Sequence, residues 1–472
     1  MSLEAALAQL QRASDEVEGL STLLAQAQAN KITALRQVNA IRDPITTRLP
    51  VELATEIFLL CVDWTPPEST EPFDTPFDEN EYSVYDPTCA PLQLIGVCSA
   101  WRTLAFATPR LWTSINFPAD PNAVFDAWLL RAGPYPLRIK AGRCETPFTP
   151  QSVLFARQSA ICAWDLQIAC QPVLASLVKP TNWTNLKTLT LRITYPFEER
   201  DTPELGLVLH ALRNAPGLTH CTVEYSIYHN TGMFSGSGRA GYILLTHDNL
   251  ENLCFIHHLH SPGMIVPSLL DFLILPRLST LSVRVGDEEE VDSVVNLLKR
   301  SNLSALHTLV LTTSQHSDSW GHVLLHAFRE LAAQVPNLTH LDVRPYNPIR
   351  REAMEYLARD DVWLHLKQLV LRNFTPQRTL TALVSTMLAA RGRPALQRLV
   401  LLWTWCGANL FDFESLAHIE DNADFELREE HLVNALRSVV QANNFGPEIH
   451  LGSGVDGKEL RVLNGITEKD TD

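Results

Sequence analysis

The sequence predicts an α/β protein. An all-helical N-terminal part precedes a long array of alternating strands and helices. Three observations carry this reading. Residues 2–42 keep apolar side chains on a heptad ladder, and residues 46–117 hold two short apolar helical stretches cut by prolines. From residue 118 onward the pattern L-x-x-L-x-L returns eight times at nearly constant spacing. Recurrence at three to four residues marks helices, and a fixed long period marks stacked units.

The first 43 residues predict one long helix. Leu3, Leu7, Leu10, Val17, Leu24, Leu35 and Val38 form the ladder, with Ser14, Ser21, Gln28 and Lys31 as its polar gaps. Alanine and glutamine fill much of the remainder, and both favour helix. Asp43-Pro44 ends the pattern, because proline cannot continue a helix. Two readings of the ladder stand side by side: a coiled coil that makes a homodimer through residues 2–42, and an amphipathic helix folded back on its own chain.

The next stretch opens with Leu49-Pro50-Val51-Glu52-Leu53. Pro50 suits the first helical position, where a missing N–H costs nothing, and Glu52 suits the positive helix end. Leu49, Leu53, Ile57 and Leu60 repeat along one face. Leu94, Val97, Cys98, Trp101, Leu104 and Ala105 predict a second helix, which Thr108-Pro109 should stop. Between them, residues 63–90 are proline-rich and carry eight acidic side chains and no basic one, which predicts a disordered insert.

Residues 118–460 predict a repetitive βα array. The repeat falls at Leu186/Leu189/Leu191, Leu218/Cys221/Val223, Leu250/Leu253/Phe255, Leu278/Leu281/Val283, Leu306/Leu309/Leu311, Leu338/Leu341/Val343, Leu366/Leu369/Leu371 and Leu396/Leu399/Leu401. Ile161/Trp164/Leu166 is a degenerate earlier copy, and Leu137-Arg138-Ile139 is a leading strand. Helical patterns lie between copies at Leu205–Leu212, Val291–Leu298, Val323–Leu331, Leu380–Leu388 and Leu432–Val440. Each unit leaves an apolar flank that only its neighbours can cover, so the units should stack into a solenoid. Two segments break the rhythm: the glycine-rich His229–Gly241, and an acidic stretch at 407–426. The pattern of Asn443–Leu451 permits a closing strand, and residues 461–472 predict a disordered tail.

In order, the motifs LP-x-E-L, IF, PL, VC, WR, LA and TP-x-LW resemble the F-box, in the form common in fungal proteins. The resemblance covers roughly residues 48–115, and the insert at 63–90 is longer than the family's usual connection. The later repeats resemble leucine-rich repeats of the long, irregular kind that accompany F-boxes, without the asparagine ladder of the strict motif. The resemblance implies a substrate-recognition subunit of an SCF-type cullin ubiquitin ligase. It implies that the F-box binds a Skp-type adaptor and, through it, a cullin, while the repeats hold a target protein. Catalysis would belong to other subunits. By position, Leu49, Pro50, Leu53, Ile57, Phe58, Pro91, Leu92, Val97, Cys98 and Trp101 would face the adaptor or hold the helix pair. The alternative is a scaffold that uses coiled coil and repeats for assembly without ubiquitin transfer.

Composition narrows the function classes. The net charge of −15 resides in residues 63–86 and 411–430, and the remainder is neutral. A nucleic-acid binder would need a basic surface. Nine cysteines lie singly without a C-x-x-C, which suits reduced thiols in a cytoplasmic or nuclear compartment. No apolar run suits a membrane span, and the N-terminus lacks a signal-peptide pattern. His322 and His326 have metal-ligand spacing but no acidic partner beside them, and His257-His258-x-His260 is equally bare. No nucleophile elbow or phosphate loop occurs. The expectation is a non-enzyme without a cofactor.

The repeat register also proposes a target face. The residue after the last apolar position should point away from the interior by period-two alternation. Down the array this position holds Arg192, Glu224, Ile256, Arg284, Thr312, Arg344, Arg372 and Leu402. The arginines would suit an acidic or phosphorylated target, since a guanidinium binds carboxylate or phosphate through paired hydrogen bonds. Pairing with acids of the same chain is the competing expectation.

Overall fold

In the computed structural model, residues 3–61, 90–117, 123–144, 157–168, 183–195, 205–227, 244–259, 269–301, 305–313, 320–345, 349–359, 362–372, 396–403, 448–453 and 459–463 are described. The insert at 63–90, the helical patterns at Leu380–Leu388 and Leu432–Val440, the loop His229–Gly241 and the acidic stretch 407–426 lie outside them, Ala90 apart. The chain divides into two units, residues 1–142 with 151–161, and residues 143–150 with 162–472.

In the first unit, α1 (Leu3–Arg42) is continuous, as its alanine-rich composition demands. Asp43 then caps a short helix, α2 (Pro44–Arg48). Its carboxylate accepts from the N–H groups of Ile45 at 2.9 Å and Thr46 at 3.3 Å, and from the Thr46 hydroxyl. Burial opposes ionisation of this carboxyl, but the Thr46 hydroxyl, the Trp101 indole and the two backbone donors outweigh it and hold the Asp43 pKa below the usual value.

The helix α3 (Val51–Leu60) begins one residue later than the sequence suggests. Pro50 is its N-cap, extended at φ −54° and ψ 148°, and its carbonyl accepts from Ala54 N–H at 3.0 Å. The predicted second helix is two: α4 (Ala90–Val97) and α5 (Ser99–Phe106). Cys98 is extended between them at φ −153°, its Sγ accepts from Trp101 N–H at 3.5 Å, and Arg102 Nε donates to Ile95 O at 3.1 Å. These bonds satisfy groups that the break exposes, which periodicity alone could not foresee. A 3₁₀ turn, Pro109–Trp112, leads into β1 (Ser114–Phe117); α6 (Ala123–Arg131) and β2 (Leu137–Cys144) follow. β1 and β2 pair in parallel, Ile115 opposite Ile139.

Trp112 anchors this unit. It is fully buried, its Nε1 donates to Ala105 O at 2.9 Å, and Trp128 meets it edge-on at 5.0 Å between centroids. The Arg131 guanidinium lies 5.0 Å from the Trp112 ring centre. Arg157 donates to Leu129 O and Gly133 O, and the φ of +56° at Gly133 is one that glycine adopts freely.

The second unit is built on a sheet. Its strands are β3 (Ile161–Ile168), β4 (Thr188–Tyr195), β5 (His220–Ile227), β7 (Asn252–Leu259), β9 (Thr280–Val285), β10 (Thr308–Thr313), β11 (His340–Arg344), β12 (Gln368–Leu371), β13 (Arg398–Trp403), β14 (Glu448–Ser453) and β15 (Glu459–Leu463), adjacent in that order. Two short strands, β6 (Leu245–Thr246) and β8 (Leu273–Ile274), form a separate parallel pair. The eight repeat copies pair in parallel and in the same register: Leu189, Cys221, Leu253, Leu281, Leu309, Leu341, Leu369 and Leu399 stand side by side. Trp164 pairs with Leu189, so the degenerate copy keeps the register too. β14 extends the sheet in parallel, and β15 returns antiparallel. The predicted tail therefore starts too early: Arg461 to Leu463 complete β15, whose few residues offer too little alternation to detect.

A backbone device repeats at the start of these strands. The carbonyls of Lys187, Thr219, Glu251, Ser279, His307, Thr339 and Lys367 each accept two N–H groups from the next copy, at 2.7–3.1 Å. This pairing locks neighbouring copies without side-chain amides.

The helices between strands are α7 (Leu205–Asn214), α8 (Glu288–Ser301), α9 (Trp320–Gln334) and α10 (Arg351–Leu357). α8 is charged to match its dipole, with Glu288, Glu289 and Glu290 in its first turn and Lys299 and Arg300 in its last. Asp287 accepts from Glu290 N–H at 2.8 Å, while the Glu290 carboxylate accepts from Gly286 N–H. α8 contacts α9, and α9 contacts α10, so the helices follow one another as the strands do. Phe328 of α9 and Trp363, both buried, meet edge-on at 5.9 Å between ring centroids.

Candidate partner-docking surfaces

The first candidate is built from α3, α4 and α5. Phe58 and Cys98 are fully buried, Pro91 is buried, and the Phe58 and Trp101 rings lie 4.9 Å apart. These side chains hold the helices together. Ile57, Leu92, Val97 and Trp101 are half-buried. Leu49 and Pro50 are exposed, and Leu53 and Leu60 are 54% and 83% exposed. The ten sequence-derived residues thus sort into two roles, internal clamp and open face.

That face is the one whose periodicity stood out in the sequence. Leu53 and Leu60, with the half-buried Ile57, occupy one side of α3, while Ala54, Phe58 and Leu59 turn inward. Val51 is 58% exposed as well, but it lies in helical phase with Phe58, on the opposite side of α3 from Leu53 and Leu60. The surface is apolar and aliphatic, with Glu56 exposed at its margin and 3.9 Å from Arg110. It can bind an apolar partner surface; it offers no nucleophile or acid–base pair.

The second candidate is the arginine stripe. The register sets Arg284, Thr312 and Arg344 on adjoining strands at one level, and Arg372 N–H donates to Val343 O at 2.9 Å on the next. All four are half-buried. Asp342, two residues before Arg344 on the same face, accepts from both neighbouring guanidinium groups. Arg344 Nη2 lies 2.8 Å and Arg372 Nε 3.3 Å from its carboxylate. Two cations thus share the Asp342 carboxylate. The sequence signal for Asp342 was present in His-Leu-Asp-Val-Arg, where alternation puts Asp342 and Arg344 together.

Arg192 differs. It is buried, donates from Nη1 to Asp165 Oδ1 at 2.8 Å, and places Nε 3.8 Å from the buried Glu224. Thr190 and Thr222 beside it are buried too, so both faces of β4 and β5 are covered. On β9, β10 and β11 burial alternates residue by residue. The expected outward direction therefore means a buried side chain at Arg192 and Glu224 and a half-buried one from Ile256 to Arg372. Strand alternation sets the side of the sheet but not what covers it.

Among the described residues no group of three or more His, Cys, Asp and Glu side chains could hold a metal. His326 lies 3.5 Å from Asp292, and His322 is exposed. Cys221 and Cys254 are buried; burial, with the Cys254 sulfur nearby, pushes the Cys221 thiol up to about 12. No described helix is long and apolar enough to cross a membrane. No family model matches the chain, and no curated protein matches it.

Proposed function

We propose that this chain is the substrate-recognition subunit of an SCF-type cullin ubiquitin ligase, with residues 46–117 as an F-box and residues 118–460 as leucine-rich repeats in a solenoid. The observation that carries the reading is the open aliphatic face of α3. Leu53 and Leu60 are exposed while the clamp of Phe58, Pro91, Cys98 and Trp101 holds the same helices closed. A surface helix that leaves large aliphatic side chains in water on its most periodic side has the character of a docking element. The Skp-type adaptor is its proposed occupant, on the strength of the motif order from Leu49-Pro50 to Leu111-Trp112.

The proposed target face is the stretch carrying Arg284, Arg344 and Arg372. Its half-buried guanidinium groups suit an acidic or phosphorylated segment, which would compete with Asp342 for two of them. Arg192 has an internal role in this reading. The decisive experiment is affinity purification from the native cell with wild type beside Leu53→Asp. Adaptor and cullin should be lost from the variant while the target remains. Retention of both by a folded Leu53→Asp protein overturns the F-box reading and leaves an assembly scaffold.

A further inference from the structure

The long helix α1 carries a surface that the F-box reading does not use. Leu10, Val17, Leu24, Leu35 and Val38 are all exposed along its heptad ladder. Near its C-terminal end, Arg36 Nε donates to Gly96 O at 3.4 Å and Asn39 Nδ2 to Val97 O at 3.2 Å. Leu35 and Val38 beside those contacts stay open. The ladder is therefore exposed on both halves of the helix.

Charge along α1 is divided by position. Residues 3–20 carry Glu4, Asp15, Glu16 and Glu18 against Arg12 alone, whereas residues 21–42 carry Lys31, Arg36 and Arg42 and no acid. Two such helices side by side in parallel would set like charge against like, and would put Lys31 at the seam opposite its own copy. Reversing one helix sets each acidic half against a basic half. In the reversed register that sets Leu10 against Leu35 and Leu7 against Val38, Ser14 meets Lys31, while Val17 meets Gln28 and Leu24 meets Ser21. Lys31 comes within about one helical turn, roughly 6 Å along the axis, of Glu18 in the other copy.

We infer that α1 is a homodimerisation element that pairs antiparallel with α1 of a second copy of this chain. Its occupant is chosen by charge complementarity: the helix is complementary to itself in one direction only. The inference does not depend on the F-box reading, because an assembly scaffold could carry the same dimer.

Two measurements on the full chain test it. In light scattering the wild type should have the mass of two chains. Glu18→Lys and Lys31→Glu should each weaken the dimer at least tenfold, and the double variant should recover most of the loss. A monomeric wild type overturns the inference, as does a double variant no tighter than the singles. The second measurement reads direction. Residues 1–60 contain no cysteine, so a disulfide joining two α1 peptides can arise only from introduced thiols. A mixture of Leu10→Cys and Leu35→Cys chains should yield the mixed linkage by mass spectrometry of the digest. Self-linked Leu10→Cys chains without the mixed product would show a parallel pair and overturn the inference.

Discussion

α3 and α8 are both amphipathic helices, and they meet opposite fates. In α8, Val291, Val294, Val295, Leu297 and Leu298 are all buried, because the 3₁₀ turn Leu269–Phe272, strand β9 and helix α9 pack against that helix. In α3, the side chains that turn inward are Ala54, Phe58 and Leu59, and Leu53 and Leu60 stay in water. A helix inside a periodic array has a neighbour on each side, so its apolar face is covered by the next copy. α3 stands outside the array, and among the described residues its second apolar face is left open. Burial therefore separates side chains that hold this fold from side chains available to a partner.

The largest expected effect lies inside the array. Phe328→Ala removes a fully buried ring that meets Trp363, and should cost about 3–5 kcal/mol in urea unfolding. Leu53→Ala should change stability by less than about 0.5 kcal/mol. Similar losses at both positions would break the comparison. A second contrast separates two arginines. Arg192→Met leaves buried carboxylates at Asp165 and Glu224 without their cation and should cost about 3–5 kcal/mol. Arg344→Met should cost less than about 1 kcal/mol, because its partner Asp342 keeps Arg372. Equal costs would mean that the stripe is structural along its whole length.

Binding sharpens the same comparison. Leu49→Ala with Pro50→Ala should lose about 2–4 kcal/mol of affinity for the proposed Skp-type adaptor by calorimetry, with stability nearly unchanged. Unchanged affinity in the folded variant would remove α3 from the interface. The smallest effect concerns the Asp43 cap. Asp43→Ala should cost about 1 kcal/mol near pH 7. The Asp43 pKa is lowered in the folded chain, so its contribution is present above the unfolded carboxyl value of 3.8 and lost as pH falls through the folded value. Wild type and Asp43→Ala should converge in unfolding free energy once pH falls well below the folded Asp43 value. A gap that persists there would assign the effect to packing and not to charge.

Much of the array was legible because its signal repeats. One apolar position recurs in each copy, and backbone pairing turns that recurrence into a row from Leu189 to Leu399. The long helix was legible for the same reason, since its length and composition favour one local conformation. The helical segment of residues 46–117 was legible only as an order of residues. Its spacing could not reveal the break at Cys98, which depends on hydrogen bonds to Trp101 and Ile95, or the short helix that Asp43 caps.

Periodicity by itself determined which residues share a face, because that follows from 3.6 residues per helical turn and two per strand repeat. Tertiary structure decided which faces are covered. Leu53 and Val294 satisfy the same helical pattern, yet one is 54% exposed and the other 1%. Arg192 and Arg344 occupy the same repeat position, yet only Arg192 is enclosed with its carboxylates. Coverage depends on neighbours distant in sequence, whose approach no local spacing encodes.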